Sequence, residues 1–390
     1  MLKPSLIPRF NIEYKYSDLV YGILSAIKNN GYDLNLLKEI FGKVNIFFTN
    51  SGRTSLYVIL RSLNLPKGSK IGVPLYSCTV VFDAIIKAGY TPYFLDIDLD
   101  NYTLDPQYLK EHIGNIDAVV VIHTFGRPAD MDEIKKVAKG IPIIEDCAHS
   151  LFSEYKGKKT GALGDASFFS LAKYISAGEG GMIIANDGKL ANKVQKEVNS
   201  LSNTTMMNDL RKSFTEYAKS FFYRKPWFGL FAFSLGSVLE SKVDLMNKKS
   251  FNTSKINKIN FNIFIKKMKI LKTNVEIQRK NSFFLLNELK DTSLILPYEK
   301  RETYCNYYLF PIRFHSKYER DRAWKILRRM NVDSAKLYSM TPNIAKRVYR
   351  YTGNCPNAEL LADTVLTIPN YYTLTNDELL KIAKVVKEAS

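Results

Sequence analysis

At 390 residues and 46% hydrophobic content, the chain is too long for one ordinary core and is expected to form a large domain plus a smaller one. Its N-terminus carries no continuous apolar run, and no stretch reaches the roughly 18 uncharged apolar residues of a membrane span, so neither a secretory signal nor a span is expected. The net charge of +18 fits a nucleic acid, an anionic membrane surface or a phosphate-bearing substrate, yet no helix-turn-helix, zinc-finger or RNP-like motif accompanies it, so no nucleic-acid partner is expected.

In chain order, the first strand expected is VNIFFT (44–49), followed by KIGVPL (70–75), TPYFLDI (91–97), DAVVVIH (117–123), IPIIED (141–146), ASFFS (166–170) and GMIIA (181–185). Between them, TSLYVILRSLNL, TVVFDAIIKAG and MDEIKKVAKG place apolar residues at helical spacing. Near-continuous apolar strands alternating with helices predict a mostly parallel seven-stranded sheet covered on both faces, with ligands at the carboxyl ends of the strands. The rhythm breaks at about 205–250, which is aromatic and basic and contains Arg224, Lys225 and Pro226. This segment is read as a subunit-interface element in preference to an interfacial membrane helix. A helical pattern resumes at 255–290. NYYLFPIRF (306–314) and VLTIPN (365–370) then read as strands, SKYERDRAWKILRRM (316–330) as a helix, and TNDELLKIAKVVKEA (375–389) as a helix capped by Thr375 with Glu378 three residues on. The expected division is a large α/β domain over 1–255 and a smaller C-terminal α+β domain over 256–390. The four cysteines (Cys78, Cys147, Cys305, Cys355) show no CxxC pair or metal spacing, which predicts reduced thiols, a cytoplasmic protein and no metal.

Three stretches carry chemistry. TNSGRTSL (49–56) is a strand-to-helix turn whose free backbone N–H groups, with Arg53 and the hydroxyls of Ser51, Thr54 and Ser55, suit a phosphate. IIEDCAHS (143–150) ends a strand on Glu145 and Asp146, with His149 three residues further. A carboxylate there can hold a heteroaromatic nitrogen protonated, as pyridoxal phosphate requires. SFFSLAKYISAGEGGMII (167–184) sets Lys173 between two apolar segments; a desolvated amine at that place can form a Schiff base with an aldehyde cofactor. Phosphate cup, pyridinium carboxylate and amine are the three groups that pyridoxal phosphate needs.

Taken with VPLYSCTVVFDAIIKAGYTPYFLDID, VIHTFGRPADMDEI, GKKTGALGDASFFS and the terminal LTIPNYYTLTNDELLKIAKVVK, these stretches closely resemble the DegT/DnrJ/EryC1/StrS aminotransferases. Those are fold-type-I, pyridoxal-phosphate-dependent enzymes of nucleotide-sugar biosynthesis. The resemblance implies that Lys173 carries the cofactor and shuttles the proton, that Asp146 pairs with the ring nitrogen, and that His149 lies near the phenolic oxygen. It further implies that Gly52, Arg53, Thr54 and Ser170 hold the phosphate. Cys78 occupies a position where many members stack a Phe or Trp on the ring, with Tyr76 two residues earlier. Ser170 lies three residues from the lysine, where members often show five. Asn252, in SFNTSKIN, stands in for the segment that reaches a neighbouring subunit's cofactor. The implied activity is transamination of a keto-sugar nucleotide by a homodimer with shared active sites, with glutamate as donor, for surface polysaccharide or glycan. The alternative is a non-catalytic protein of the same fold acting in regulation or assembly at a membrane surface.

Overall fold

A strand buried on both faces needs helices on both, and Ala118–Ile122 (AVVVI) meets that condition, since all five residues are buried. The computed structural model describes residues 3–28, 34–236 and 251–390. The strands are β1 (Asn45–Thr49), β2 (Lys70–Pro74), β3 (Thr91–Leu95), β4 (Ala118–Ile122), β5 (Ile143–Asp146), β6 (Glu154–Tyr155), β7 (Lys158–Lys159), β8 (Ala166–Ser170), β9 (Gly181–Ala185), β10 (Thr303–Tyr304), β11 (Phe310–Arg313) and β12 (Val365–Ile368). The main sheet has seven strands in the order β1-β9-β8-β5-β4-β2-β3. Only β9 runs against the others, antiparallel to both β1 and β8. The seven strands expected from the sequence are these seven.

The period-2 alternation of side chains divides each strand between two cores. Val120 packs with Ile71, Ile144 and Ile183 under the helices Gly52–Leu63, Thr79–Lys87 and Gly188–Ser200. Its neighbours Val119 and Val121 pack on the opposite face with Leu109, Met131 and Ile134 from the helices Pro106–His112 and Met131–Val137. Each such fully buried side chain contributes about 1.5–3 kcal/mol. The register pairs Ile122 with Asp146 and Asp146 with Phe168, so β4, β5 and β8 end at one level and their carboxyl-end loops converge.

The C-terminal unit pairs β11 with β12 antiparallel, Phe310 opposite Ile368. The helices Lys317–Arg329 and Asn376–Ala389 cover this ribbon. Thr375 caps the last helix as expected: its hydroxyl accepts the Glu378 N–H at 3.2 Å and Glu378 returns the bond at 3.0 Å. A 32-residue helix, Lys258–Leu289, joins the two halves, giving Ile259, Phe264 and Leu271 to one core and Leu285 and Leu289 to the other. The sequence reading did not anticipate the helices Tyr16–Ile27, Asn35–Phe41, Thr341–Val348 and Pro356–Thr364, or the small sheet β10-β6-β7. Nor did it anticipate that the N-terminal arm would lie against the C-terminal unit, where Ile7 bridges to Val332.

Candidate active site

The helix Gly52–Leu63 begins directly after β1, with Ser51 as its N-cap accepting the Thr54 N–H at 3.2 Å. That bond occupies Thr54, which is buried and turned into the cap. The N–H groups of Gly52 and Arg53 are left at the open end of the helix dipole, where an anion is favoured. Glycine at 181 makes the close packing possible, because a Cβ there would meet the Ser51 carbonyl carbon and oxygen, both at 2.4 Å. Gly52 in turn lies against β8, where its Cβ would stand 3.4 Å from that of Ser170. The helix start and the end of β8 therefore share one wall.

That wall closes a cavity of about 190 Å³ lined by Gly52, Arg53, Cys78, Asp146, His149, Ser170 and Lys173, together with Tyr338. Lys173 Nζ lies 3.0 Å from His149 Nε2. The Phe125 N–H points to His149 Nδ1 at 3.3 Å, which fixes the ring beside the lysine. Burial, and secondarily the Lys173 charge, holds the His149 imidazole well below its ordinary pKa, as a neutral ring. Phe125 lies nearly parallel to it at 6.3 Å and Tyr338 at 6.5 Å.

Glu145 and Asp146 are adjacent in sequence and opposite in role. Asp146 is buried at the cavity, where Oδ1 accepts the Ala148 N–H at 2.9 Å. Burial raises its carboxyl pKa, against the pull of Lys173 and of that N–H. Glu145 points to the other side of β5 and accepts four hydrogen bonds, from His123 Nε2 at 2.9 Å and the N–H groups of Gly161, Leu163 and Gly164 at 2.8, 2.7 and 2.6 Å. Burial works against its ionisation too, but His123 and these N–H groups outweigh it and hold Glu145 below the ordinary carboxylate range.

The loop carrying Lys173 is pinned on several sides. Leu171 N–H bonds to Gly180 O at 2.9 Å, and Asn260 Nδ2 and Lys267 Nζ, both from the long helix, reach Glu179 O at 3.1 Å and Ser176 O at 3.0 Å. Gly178 has φ +84°, and a Cβ there would meet Asn260 Nδ2 at 2.7 Å. On the far side of Lys173 a second cavity of about 230 Å³ opens among Arg9, Asn11, Tyr174, Tyr308 and Tyr371.

Of the residues singled out in the sequence, Gly52, Arg53, Cys78, Asp146, His149, Ser170 and Lys173 line one cavity. The Arg53 guanidinium turns outward over the Phe251 ring, 4.6 Å from its centroid. Asn252 lies outside the cavity with an exposed side chain, its carbonyl accepting Asn50 Nδ2 at 3.0 Å. Tyr76 is fully buried, its hydroxyl bonded to Leu337 O at 3.3 Å, and does not line the cavity. Sequence reasoning missed Tyr338 and the arm residues Arg9 and Asn11. Tyr338 has φ 60°, a costly conformation for an aromatic residue, and no local pattern marks it.

The sequence profile of the DegT/DnrJ/EryC1/StrS aminotransferase family matches residues 35–387. Over 345 residues the chain is 25% identical to the UDP-N-acetyl-3-dehydro-alpha-D-glucosamine 3-aminotransferase of Acidithiobacillus ferrooxidans, covering 86% of this chain and 82% of that protein. Over 146 residues it is 36% identical to the GDP-perosamine synthase of Escherichia coli O157:H7, covering 36% of this chain and 40% of the relative. The fold is that of the Helicobacter pylori aminotransferase involved in pseudoaminic acid biosynthesis, at TM-score 0.76 and 18% identity over 100% of this chain and 98% of the other.

Proposed function

The chain belongs to the DegT/DnrJ/EryC1/StrS aminotransferase family, and from that premise we propose that it moves an amino group from glutamate to the keto carbon of a nucleotide sugar. Aminotransferases of this family use pyridoxal phosphate. The observation that carries the reading is the convergence of Asp146, His149 and Lys173 on one cavity whose opposite wall is a helix N-terminus.

The residues present fit that cofactor. A buried carboxylate with a raised pKa and a single backbone donor suits a pyridinium N–H, which would restore its charge. The Gly52 and Arg53 N–H groups and the Ser170 hydroxyl suit its phosphate, while Cys78 and Tyr338 would flank its ring. When bound, the cofactor supplies an electron sink for the carbanion formed at the substrate carbon. Lys173 would anchor it, and its amine is placed to take and return the proton at the substrate carbon. His149, kept neutral, orients the Lys173 amine through the 3.0 Å contact. The Glu145 network fixes the end of β5 and so aims Asp146.

The second cavity is lined chiefly by tyrosines and amides, the polar neutral and aromatic surface that a sugar ring prefers, and it shares Lys173 with the first. The partly exposed wall formed by Arg53, Phe251 and Asn252 is where a second subunit would complete a shared site. The four free thiols fit a reducing cytoplasm.

The test is spectroscopic. Protein incubated with pyridoxal phosphate should turn yellow, bleach with glutamate, and regain its colour when the right keto-sugar nucleotide is added. Protein that stays colourless sinks the proposal. A screen of keto-sugar nucleotides with mass detection of the amino product then names the substrate.

A further inference from the structure

The segment after residue 205 takes no part in the cavity. It folds as a helix, Met206–Phe222, followed by a turn of π-helix at Phe228–Ala232. Its outer face is aromatic and open to solvent: Phe214 is 63% exposed, Phe222 46% and Phe231 54%. Phe221, Trp227 and Phe231 stack in series, with ring centroids 5.8 and 5.9 Å apart. The face continues onto a second element, since Phe214 meets Tyr217 at 6.3 Å and Tyr217 meets Tyr16 at 6.1 Å. Tyr16 opens the helix Tyr16–Ile27, whose Leu24 and Ile27 are 55% and 66% exposed.

Charge decides what covers this face. Residues 205–236 contain five cations (Arg211, Lys212, Lys219, Arg224, Lys225) and two acids (Asp209, Glu216). Asp209 is buried, Lys219 pairs with the largely covered Glu216, and Lys212 and Lys225 pair with Glu179 and Glu378 of neighbouring elements, so the face keeps a small positive excess, carried by Arg211 and Arg224. The helix Tyr16–Ile27 repeats the pattern. Its one charge, Asp18, is buried against Lys266 at 2.9 Å, and the exposed Lys15 and Lys28 flank it. A second copy of this chain would bring the same cations against these. An anionic bilayer supplies the opposite charge and an apolar boundary for the rings, and tryptophan with tyrosine is the pair that settles at that boundary. Among the described residues no helix is long and apolar enough to cross a membrane, so contact in the interfacial plane is what remains.

We infer that this two-helix face is a peripheral docking surface for an anionic phospholipid bilayer, holding the aminotransferase at a membrane. This differs from the subunit-interface reading of the sequence, and it stands independently of the proposed activity. The experiment uses full-length protein loaded with pyridoxal phosphate and phosphatidylcholine vesicles with or without phosphatidylglycerol. Sedimentation with the anionic vesicles is expected, weakening as salt rises. Trp227 fluorescence should shift to the blue and be quenched by brominated acyl chains, with Trp227→Ser identifying its share against Trp324. The triple variant Phe221→Ser, Trp227→Ser, Phe231→Ser should lose at least about tenfold in partitioning, and Arg211→Glu with Lys225→Glu should abolish the preference for anionic lipid. Neither variant should alter the visible spectrum or the oligomeric size. Failure of the wild type to bind anionic vesicles, or undiminished binding by the triple variant, would overturn the inference. So would a triple variant that dissociates into smaller species, because the face would then be a contact between subunits.

Discussion

Replacing Glu145 by glutamine changes almost nothing in shape and a great deal in hydrogen bonding. In the folded chain Oε2 accepts from His123 Nε2 and the Gly161 N–H, and Oε1 accepts from the Leu163 and Gly164 N–H groups. An amide retains one acceptor oxygen, so its NH₂ must face one of these two donor pairs. Facing Leu163 and Gly164, it leaves two backbone N–H groups and its own hydrogens without partners. Facing His123, it finds an acceptor only if the ring proton moves to Nδ1, which would then oppose the Ala129 N–H that Nδ1 now accepts at 3.0 Å. A buried donor left unpaired costs about 1–3 kcal/mol, and breaking a buried charged network about 3–5 kcal/mol. Glu145→Gln should therefore lose about 3–5 kcal/mol, a large share of the about 5–15 kcal/mol that holds a typical protein folded. Urea unfolding followed by far-UV circular dichroism at neutral pH reads this as a lower midpoint. A loss below about 1 kcal/mol would refute the account, because it would mean the four donors find other acceptors. Acid gives a second readout. A carboxylate held below its unfolded pKa stabilises the fold above that unfolded value, and the contribution disappears as pH falls through the folded value. The wild type should lose this share of stability on acidification, and the variant should show a shallower acid limb.

Lys173→Ala should abolish turnover while leaving the melting temperature within a few degrees, since among the described residues the half-buried side chain bonds only to His149. Asp146→Asn keeps an acceptor for the Ala148 N–H and so keeps the fold, yet it cannot hold a ring nitrogen protonated; kcat should fall by about 100-fold or more, for about 3 kcal/mol of lost charge stabilisation. Gly181→Ala drives a methyl group into the Ser51 backbone at 2.4 Å, which should cost about 1–3 kcal/mol and weaken retention of pyridoxal phosphate on gel filtration, whereas Gly188→Ala, in open space, should do neither.

The main sheet was legible because its strands are short, β-rich and apolar on both faces, a pattern that needs no knowledge of partners. Asp146 and Lys173 were legible because each stands where an apolar strand gives way to polar residues. Ser170 was harder: its short spacing to Lys173 set it apart, and what brings it to the cavity is the fit of Gly52 against β8, a contact between residues 118 positions apart. Tyr338 reaches the same cavity from a loop with no periodicity at all. The helix Tyr16–Ile27 escaped notice because its inner face is defined by the Lys258–Leu289 helix, more than 200 residues away. Local pattern reports on what a residue can become; it is silent on packing decided by distant chain.

The Lys258–Leu289 helix has a mechanical consequence. At 1.5 Å per residue it is about 48 Å long, with Lys267 gripping the lysine loop about 27 Å from Leu285, which is embedded in the C-terminal core. A tilt of about 5° pivoting at Leu285 swings Lys267 through roughly 2 Å, more than half the length of the hydrogen bond it makes. The helix is a stiff lever whose short stroke at one lobe becomes a displacement at the other. A movement of the C-terminal unit that tilted this helix would be passed through Lys267 to the loop that carries Lys173.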